Sequence, residues 1–222
     1  MCGRFTQYQP RENYLSMFPD DIARQIAFDS EPIGRYNVSP GTKVLLLNMR
    51  NQTLQLDPVL WSYAPAWWNK PPLINARVET ASTSRMFKPL WQDGRAIVFA
   101  DGWYEWVKEG ASKQPYFIHR KDHKPIFLAA IGRAPFDREN EAEGFLIVTS
   151  AARKGLLDIH DRRPVVLHPD AAMRWIDPDC SSDAEDIATN EDTSPDDFVW
   201  YPVTKAVGNV KNKGADLINP IK

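Results

Sequence analysis

Short apolar runs, each bounded by Gly, Pro, Asn or Asp, recur along most of the chain. Every run has the length of one strand, and no internal repeat or low-complexity linker interrupts them before residue 177. This spacing predicts a mainly antiparallel β core. The predicted strands are Lys43–Met49, Thr53–Trp61, Arg95–Asp101, Trp103–Val107, Pro115–His119, Pro125–Ile131, Gly144–Ser150, Pro164–Leu167 and Phe198–Val203.

Helical spacing is confined to a few short segments. Pro10–Phe18 carries apolar residues at helical spacing behind a proline that suits a first helical turn. Further predicted helices cover Val78–Arg85, Pro169–Ile176 and Ser182–Thr189. Together with the strands they predict one α+β domain over residues 1–222, with a curled or barrel-like sheet and a few short helices.

The charge balance argues at first against a protein that holds nucleic acid by bulk electrostatics. The chain has 27 basic and 29 acidic residues, a net charge of −2 and a pI near 6.1. The segment Trp175–Thr204, however, contains nine acids and neither Lys nor Arg, so the rest of the chain carries a surplus of seven positive charges. We predict that 175–204 forms an acidic surface turned away from a basic face.

Several classes of protein are disfavoured by what the chain lacks. No apolar run approaches the roughly 20 residues that cross a bilayer, and no signal pattern opens the chain, which predicts a cytoplasmic protein without a membrane partner. Two cysteines, Cys2 and Cys180, are too few for a disulfide framework or a four-sulfur zinc site. His119 and His123 straddle a predicted turn without a third ligand, so no metal is expected. The sequence contains no glycine-rich phosphate-binding loop, so no nucleotide cofactor is expected.

The N-terminus carries the most specific chemistry. The chain begins Met1-Cys2-Gly3-Arg4, and removal of Met1 would place an amine of pKa about 7.7–8.0 beside a thiol of pKa about 8.5. Such an aminothiol can condense with an aldehyde to an imine, which the thiol then closes to a thiazolidine ring. Alternatively, an N-terminal cysteine can act as a nucleophile with its own amine as base. A cysteine that merely follows the start codon is the third interpretation.

Six further segments are distinctive in composition and in their order along the chain. They are Arg35–Pro40, Trp61–Trp68, Asn75–Thr80, Asp101–Trp106, Ile159–Pro164 and Tyr201–Val203. With the Met-Cys-Gly-Arg start, they resemble the SRAP family from residue 2 to about 210, close to its single-domain enterobacterial members. These are abasic-site processing proteins once called SOS-response-associated peptidases. Two positions depart from the family pattern, Ser62 for a usual Gly and Arg163 for a common Met, and we expect Arg163 to adjust the DNA-facing side.

The resemblance implies a covalent thiazolidine between Cys2 and the ring-opened sugar of an abasic site in single-stranded DNA. Glu105 is implied as the general acid, with a pKa raised by its surroundings. Asn75 is implied to hold the sugar or the amine, and His160 to accept a proton or position a hydroxyl. Without the family match, the three residues have structural interpretations: a solvent-facing carboxylate, a strand-end residue and a hydrogen-bonded histidine. Secondary lyase activity at abasic sites and self-processing of Met1 are also implied.

The resemblance further implies how the strand is held. The phosphate contacts would come from Arg4, Arg77, Arg85 and Arg162. Pro40, Trp67 and Trp68 would form a stacking or wedging platform; two adjacent tryptophans on a strand point to opposite faces, so one of them is expected to have another task. We expect a monomer at replication forks, working without a cofactor or metal and without base-specific recognition.

Three other functions stay open at this stage. A glutamine amidotransferase also begins Met-Cys-Gly, although the chain has no Asn-Gly dipeptide for the corresponding oxyanion segment. True proteolysis beyond removal of Met1 would require turnover of an unrelated peptide. A non-catalytic reader of unusual DNA bases would keep its affinity without Cys2.

Overall fold

Residues 2–19, 33–50, 52–134 and 143–221 are described by the computed structural model of the protein. The strands are β1 (Phe5–Gln7), β2 (Arg35–Val38), β3 (Lys43–Arg50), β4 (Thr53–Leu60), β5 (Asn75–Arg77), β6 (Arg95–Ala100), β7 (Gly102–Glu109), β8 (Ser112–Arg120), β9 (Ile126–Arg133), β10 (Gly144–Ala151), β11 (Arg162–Pro164), β12 (Val166–Leu167) and β13 (Phe198–Pro202). The described α-helices are α1 (Arg11–Leu15), α2 (Val78–Ala81), α3 (Lys88–Asp93), α4 (Pro169–Ile176) and α5 (Ala184–Asn190). Short 3-10 helices cover Lys154–Asp158, Pro178–Asp183, Pro195–Asp197, Lys205–Gly208 and Ala215–Ile218.

The strands form two sheets. The smaller has the order β13-β8-β7-β1-β2; the larger follows β11-β10-β9-β6-β3-β4, with β12 on β9 and β5 on β10. Pairing is antiparallel throughout these sheets except between β5 and β10. The predicted α+β class and mainly antiparallel core are therefore confirmed, although the sheets are not closed into a barrel.

The N-terminal strand is fixed by the core between the sheets. Phe5 lies opposite Val38 of β2 and Trp103 of β7, and its ring packs 5.0 Å from that of Trp61. Cys2 and Phe5 are fully buried in this apolar cluster. Burying an aromatic side chain contributes about 1.5–3 kcal/mol, which anchors the strand that follows the terminus.

Close backbone approach at one glycine positions the neighbouring strand. A Cβ on Gly102, the first residue of β7, would lie 2.5 Å from the carbonyl oxygen of Ile118 and 2.6 Å from the Phe117 ring. Only glycine fits between these groups without moving β8. The register that places Glu105 opposite Tyr116 therefore starts from this glycine.

The short elements were the ones that the sequence pattern missed. The strands β1, β2 and β5 and the helix α3 were not predicted, and the helix expected over Val78–Arg85 ends at Ala81. The nine longer strand predictions are confirmed to within a few residues, Pro164–Leu167 being divided between β11 and β12. Within the described ranges, no helix is both long enough and apolar enough to cross a membrane.

Candidate active site

Cys2 is held by a side chain from a distant strand. The amide Nδ2 of Asn75 donates a hydrogen bond to the Cys2 carbonyl oxygen over 2.9 Å. Asn75 begins β5, whose parallel pairing with β10 sets Asn75 opposite Ile147. The other amide atom, Oδ1, is buried and has no hydrogen-bond partner among the described residues. An unpaired buried acceptor is costly, so this oxygen is poised to accept a hydrogen bond beside Cys2.

Glu105 is a buried carboxyl and not a solvent-facing one. It lies in the middle of β7 with 3% of its surface exposed. Burial raises its pKa to about 7, against the opposing effect of the positive charge at the amino terminus. The Cys2 thiol has its pKa raised by its own burial and then by the charge of Glu105. The carboxyl therefore interacts with the thiol and is partly protonated near neutral pH.

His160 follows the 3-10 helix Lys154–Asp158. The main-chain N–H of Arg162 donates to His160 Nδ1 over 2.9 Å, while the Asp161 Oδ1 lies 2.8 Å from the same nitrogen. The first contact favours the tautomer of the neutral ring with its proton on Nε2, and the second favours the one with its proton on Nδ1. Burial lowers the pKa of His160, which favours the neutral form.

Glu105 and His160 both line an open cleft of about 450 Å³. Its lining residues are Arg4, Glu105, Trp106, Lys113, His160 and Gly208. The Arg4 Nη1 donates to Asn37 Oδ1 over 2.7 Å and to the Val207 carbonyl over 2.9 Å, and its guanidinium lies 5.9 Å from the Trp106 ring. Asn37, which fixes Arg4, was not singled out in the sequence although it lies within the Arg35–Pro40 segment.

The two adjacent tryptophans do not lie on a strand, so strand alternation is not the reason that their environments differ. Trp67 lies in a turn and Trp68 just after it, with their rings 6.1 Å apart and edge to face. Trp67 is 53% exposed, and the Arg85 guanidinium lies 5.1 Å from its ring. Trp68 packs against the core and its Nε1 donates to the Pro71 carbonyl over 2.9 Å. A cationic, aromatic platform is thus available at Trp67.

The remaining predicted DNA contacts have different environments. Pro40 is partly exposed in the turn after β2, and Arg77 is exposed at the end of β5. Arg162 is not available in the same way, because its Nη1 and Nη2 donate to the two carboxylate oxygens of Glu79 over 2.5 and 2.9 Å. The pairing lowers the pKa of Glu79, chiefly through the hydrogen bond. Glu79 was not anticipated as a partner of Arg162.

Arg163 is one of the two positions that depart from the family pattern. The expectation that it adjusts a DNA-facing side was wrong. Only 3% of it is exposed, and it forms an ion pair with Asp192 and donates to the Thr193 carbonyl over 2.9 Å. Its neighbour Arg162 points to the opposite side of the strand, as alternation requires. The 175–204 segment is therefore not acidic surface alone, since Asp192 and Trp175 are buried.

No cluster of three or more His, Cys, Asp or Glu with the arrangement of a metal site occurs in the part of the chain that the structure describes. His119 and His123 stack with their ring centroids 4.8 Å apart, and His119 also stacks on Phe117. His119 Nδ1 lies 2.8 Å from the Arg120 carbonyl. These contacts give the two imidazoles a packing function.

The family resemblance implies that Arg162 contacts single-stranded DNA. On that expectation Glu79→Gln should tighten the binding by about two- to fivefold, because an exposed ion pair that competes for a guanidinium is worth up to about 1 kcal/mol. The freed Arg162 guanidinium can bind one phosphate. The slope of log affinity against log salt concentration should therefore steepen by about 0.7. Fluorescence anisotropy at several salt concentrations measures both. Glu185→Gln, which removes the same charge from an exposed position of α5, is the control. Weaker binding would show that Glu79 positions Arg162 instead of competing with DNA.

Known proteins share this architecture and sequence. The family model described as SOS response associated peptidase (SRAP) matches residues 1–210. The chain is 64% identical, over all of both sequences, to abasic site processing protein YedK of Escherichia coli strain K12. It is 28% identical to abasic site processing protein HMCES of Pongo abelii, over all of this chain and 76% of that one. A phage-related protein of Bordetella bronchiseptica with a solved structure is 34% identical, with a TM-score of 0.78 over 92% of this chain and 95% of its own. The family model and the full-length relative together show that the chain belongs to the SRAP family.

Proposed function

We propose that the protein recognises abasic sites in single-stranded DNA and bonds to them covalently through Cys2 once Met1 has been removed. The observation that carries the proposal is the convergence at Cys2: Asn75 holds its carbonyl, and Glu105 interacts with its thiol and lines the same cleft as His160. Relatives whose names describe abasic site processing support the choice of substrate.

The first step joins the amine to the sugar. Glu105, protonated in part near pH 7, donates a proton to the ring oxygen while the anomeric hydroxyl loses its proton to water, and the closed sugar opens to its aldehyde. The Cys2 amine adds to the aldehyde carbon, and loss of one water gives the imine. Asn75 Oδ1, which lacks a partner among the described residues, accepts a hydrogen bond from this amine. His160 forms a hydrogen bond with a sugar hydroxyl and positions it.

The second step closes the ring. The pKa of the buried Cys2 thiol is raised, so the sulfur is protonated while the amine reacts. The imine nitrogen takes up a proton from water to give the iminium, and sulfur then bonds to the iminium carbon as its own proton passes to the Glu105 carboxylate. The product is a thiazolidine with one C–N and one C–S bond to the former aldehyde carbon. Closure removes the iminium, which otherwise acidifies the neighbouring hydrogen and leads to β-elimination of the strand.

A strand lying in the cleft would meet cationic and aromatic groups. Arg4 and Lys113 line the cleft, Arg77 and Arg85 are exposed, and Trp67 presents an open ring face. Stacking of one base on such a ring contributes about 1–3 kcal/mol for any sequence. We therefore propose binding that weakens with salt and ignores base sequence, with the acidic 175–204 segment directed away from the strand.

Several finer features belong to the same proposal. Slow strand cleavage would accompany incomplete ring closure, and Cys2 with Glu105 would assist a single self-processing event that removes Met1. The protein would act as a monomer in the cytoplasm, at replication forks and within the SOS response. Glutamine hydrolysis is less favoured, because it needs a Cys2 thiolate and burial raises the pKa of that thiol.

The direct test is incubation with a single-stranded oligonucleotide that contains one abasic site. A heat-stable covalent band in a denaturing gel, absent with intact DNA, is expected. Mass spectrometry of the protein before reaction establishes whether Met1 has been removed, and of the adduct whether one water was lost. Absence of the band from protein that starts at Cys2 would refute the proposal.

An additional residue retained before Cys2 should abolish both the adduct and strand cleavage. The secondary amide that replaces the free amine cannot form an imine, although the thiol is unchanged. The same gel assay and a cleavage assay measure the two activities. Removing the added residue with a site-specific protease should restore both; persistence of the covalent adduct before that removal would exclude the Cys2 amine as the nucleophile.

A further inference from the structure

A second cavity lies beside the cleft and is used by none of the steps above. It has a volume of about 210 Å³. Its lining residues are Gly34, Arg35, Tyr36, Asn37, Ser39, Thr42, Val210 and Lys213. Arg35 and Lys213 are cations, and none of the lining residues is acidic. The cavity therefore has the charge of an anion site.

One thin wall separates the two cavities. Arg4 and Gly208 line the cleft, while Asn37 and Val210 line the second cavity. The Arg4–Asn37 hydrogen bond of 2.7 Å crosses this wall. Asn37 Nδ2 also lies within 3.2 Å of three carbonyl oxygens of the 207–212 segment, and these contacts fix that segment in the wall. A ligand that leaves the cleft over residues 208–210 would thus enter the second cavity directly.

The Arg35 guanidinium is incompletely used. Its Nη1 donates to the Lys43 carbonyl over 2.7 Å and its Nη2 to Thr42 Oγ1 over 2.9 Å. Of the five N–H groups of an arginine, three remain available within the described residues. No carboxylate of the described chain pairs with Arg35, and partial burial lowers the pKa of its side chain. A half-buried cation that the described residues leave without a counter-charge is stabilised when an anion binds.

The rest of the lining suits a nucleoside. The Tyr36 ring is held by stacking on Tyr8, with centroids 4.7 Å apart, and Val210 is 48% exposed. The hydroxyl of Ser39 adds a polar group, and the volume accommodates one base or sugar. An aromatic wall, an apolar side chain and two cations are the groups that contact one nucleotide of a single strand.

We infer that this cavity is a second nucleotide subsite, in which Arg35 and Lys213 bind a backbone phosphate of the strand whose abasic sugar occupies the cleft. The inference rests on the proposed function for the identity of the strand. It adds a contact on the far side of the 208–210 wall from Glu105 and His160. The subsite therefore contributes to affinity and footprint and not to the covalent step.

Lys213→Glu is expected to weaken binding of an intact single-stranded oligonucleotide by on the order of tenfold and to make its salt dependence shallower. Lys124→Glu makes the same charge change in the β8–β9 turn, outside both cavities, and is the control. Arg35→Gln, with thermal unfolding to verify its fold, should weaken binding in the same way. Affinities of both variants equal to that of Lys124→Glu would overturn the inference.

Shortened oligonucleotides locate the contact. Removing nucleotides one at a time from either end should produce one stepwise loss of affinity for the wild-type protein that is absent in Lys213→Glu. At saturating concentrations the variant should cross-link an abasic oligonucleotide at the wild-type rate. Failure of the wild-type protein to cross-link would refute the proposed function. The affinities for intact DNA would still test the subsite in that case. Wild-type and variant steps of equal size would refute the subsite alone.

Discussion

Cys2→Ala will retain some cleavage at an abasic site but form no lasting adduct. Alanine is small enough for an aminopeptidase to remove Met1 without the Cys2 thiol, so the α-amine is exposed and the imine still forms, but no sulfur is present to close the ring. The unprotected iminium then proceeds to β-elimination or hydrolysis. A denaturing gel of an end-labelled abasic oligonucleotide displays both products, the covalent band and the shortened strand, in one experiment.

The second cysteine provides the matched control. Cys180 lies in the 3-10 helix Pro178–Asp183, where burial and then nearby acids raise the pKa of its thiol, and it does not line the cleft. Cys180→Ala should therefore cross-link as the unaltered protein does. A heat-stable adduct formed by Cys2→Ala in equal amount would eliminate the thiazolidine. Undiminished biological protection by that variant would instead favour a non-catalytic reader of DNA.

Glu105→Gln should slow cross-linking by about 10²- to 10⁴-fold, the usual contribution of a positioned general acid. The wild-type rate should also have a bell-shaped pH profile. Its acidic limb reflects the amine, which reacts only unprotonated and has an ordinary pKa of about 7.7–8.0. Its alkaline limb reflects Glu105, whose protonated fraction falls as the pH rises through its pKa of about 7. The glutamine variant should keep the acidic limb and lose the alkaline one.

Single-turnover rates between pH 5.5 and about 9 measure this profile. Asp101→Asn is a suitable control, because Asp101 is another buried carboxyl whose pKa burial raises, to about 6. Asp101 accepts hydrogen bonds from the Tyr8 N–H and the Tyr14 hydroxyl and does not line the cleft. The Asp101→Asn protein should show both limbs of the pH profile. A Glu105→Gln protein with the wild-type rate and both limbs would remove Glu105 from the chemistry.

The long strands were predictable because their apolar runs are continuous and clearly bounded. The strands β1, β2 and β5 have only three or four residues, several of them polar, so no periodicity can develop within them. Their pairing comes from partners far along the chain, such as Trp103 opposite Phe5. These short strands nevertheless carry Asn75 and Asn37 and fix the segment after Cys2.

The candidate site was reached from the sequence through chemistry and family resemblance more than through local pattern. The aminothiol of Cys2 is readable from two residues, but the burial that raises the pKa of Glu105 depends on the packing of both sheets. The pairing of charged side chains could not be predicted from the sequence. Glu79 pairs with Arg162 across 83 positions of the chain, and Asp192 pairs with the buried Arg163 across 29 positions.

The contact between Arg4 and Val207 has a consequence for biosynthesis. These residues are 203 positions apart, so a nascent chain cannot assemble this wall until its synthesis has passed residue 207. At about 5–20 residues per second, the N-terminus spends at least about 10 s outside the ribosome without this partner. In the folded protein Cys2 is fully buried. We therefore expect an aminopeptidase to remove Met1 most readily from the nascent chain, before the contact between Arg4 and Val207 forms.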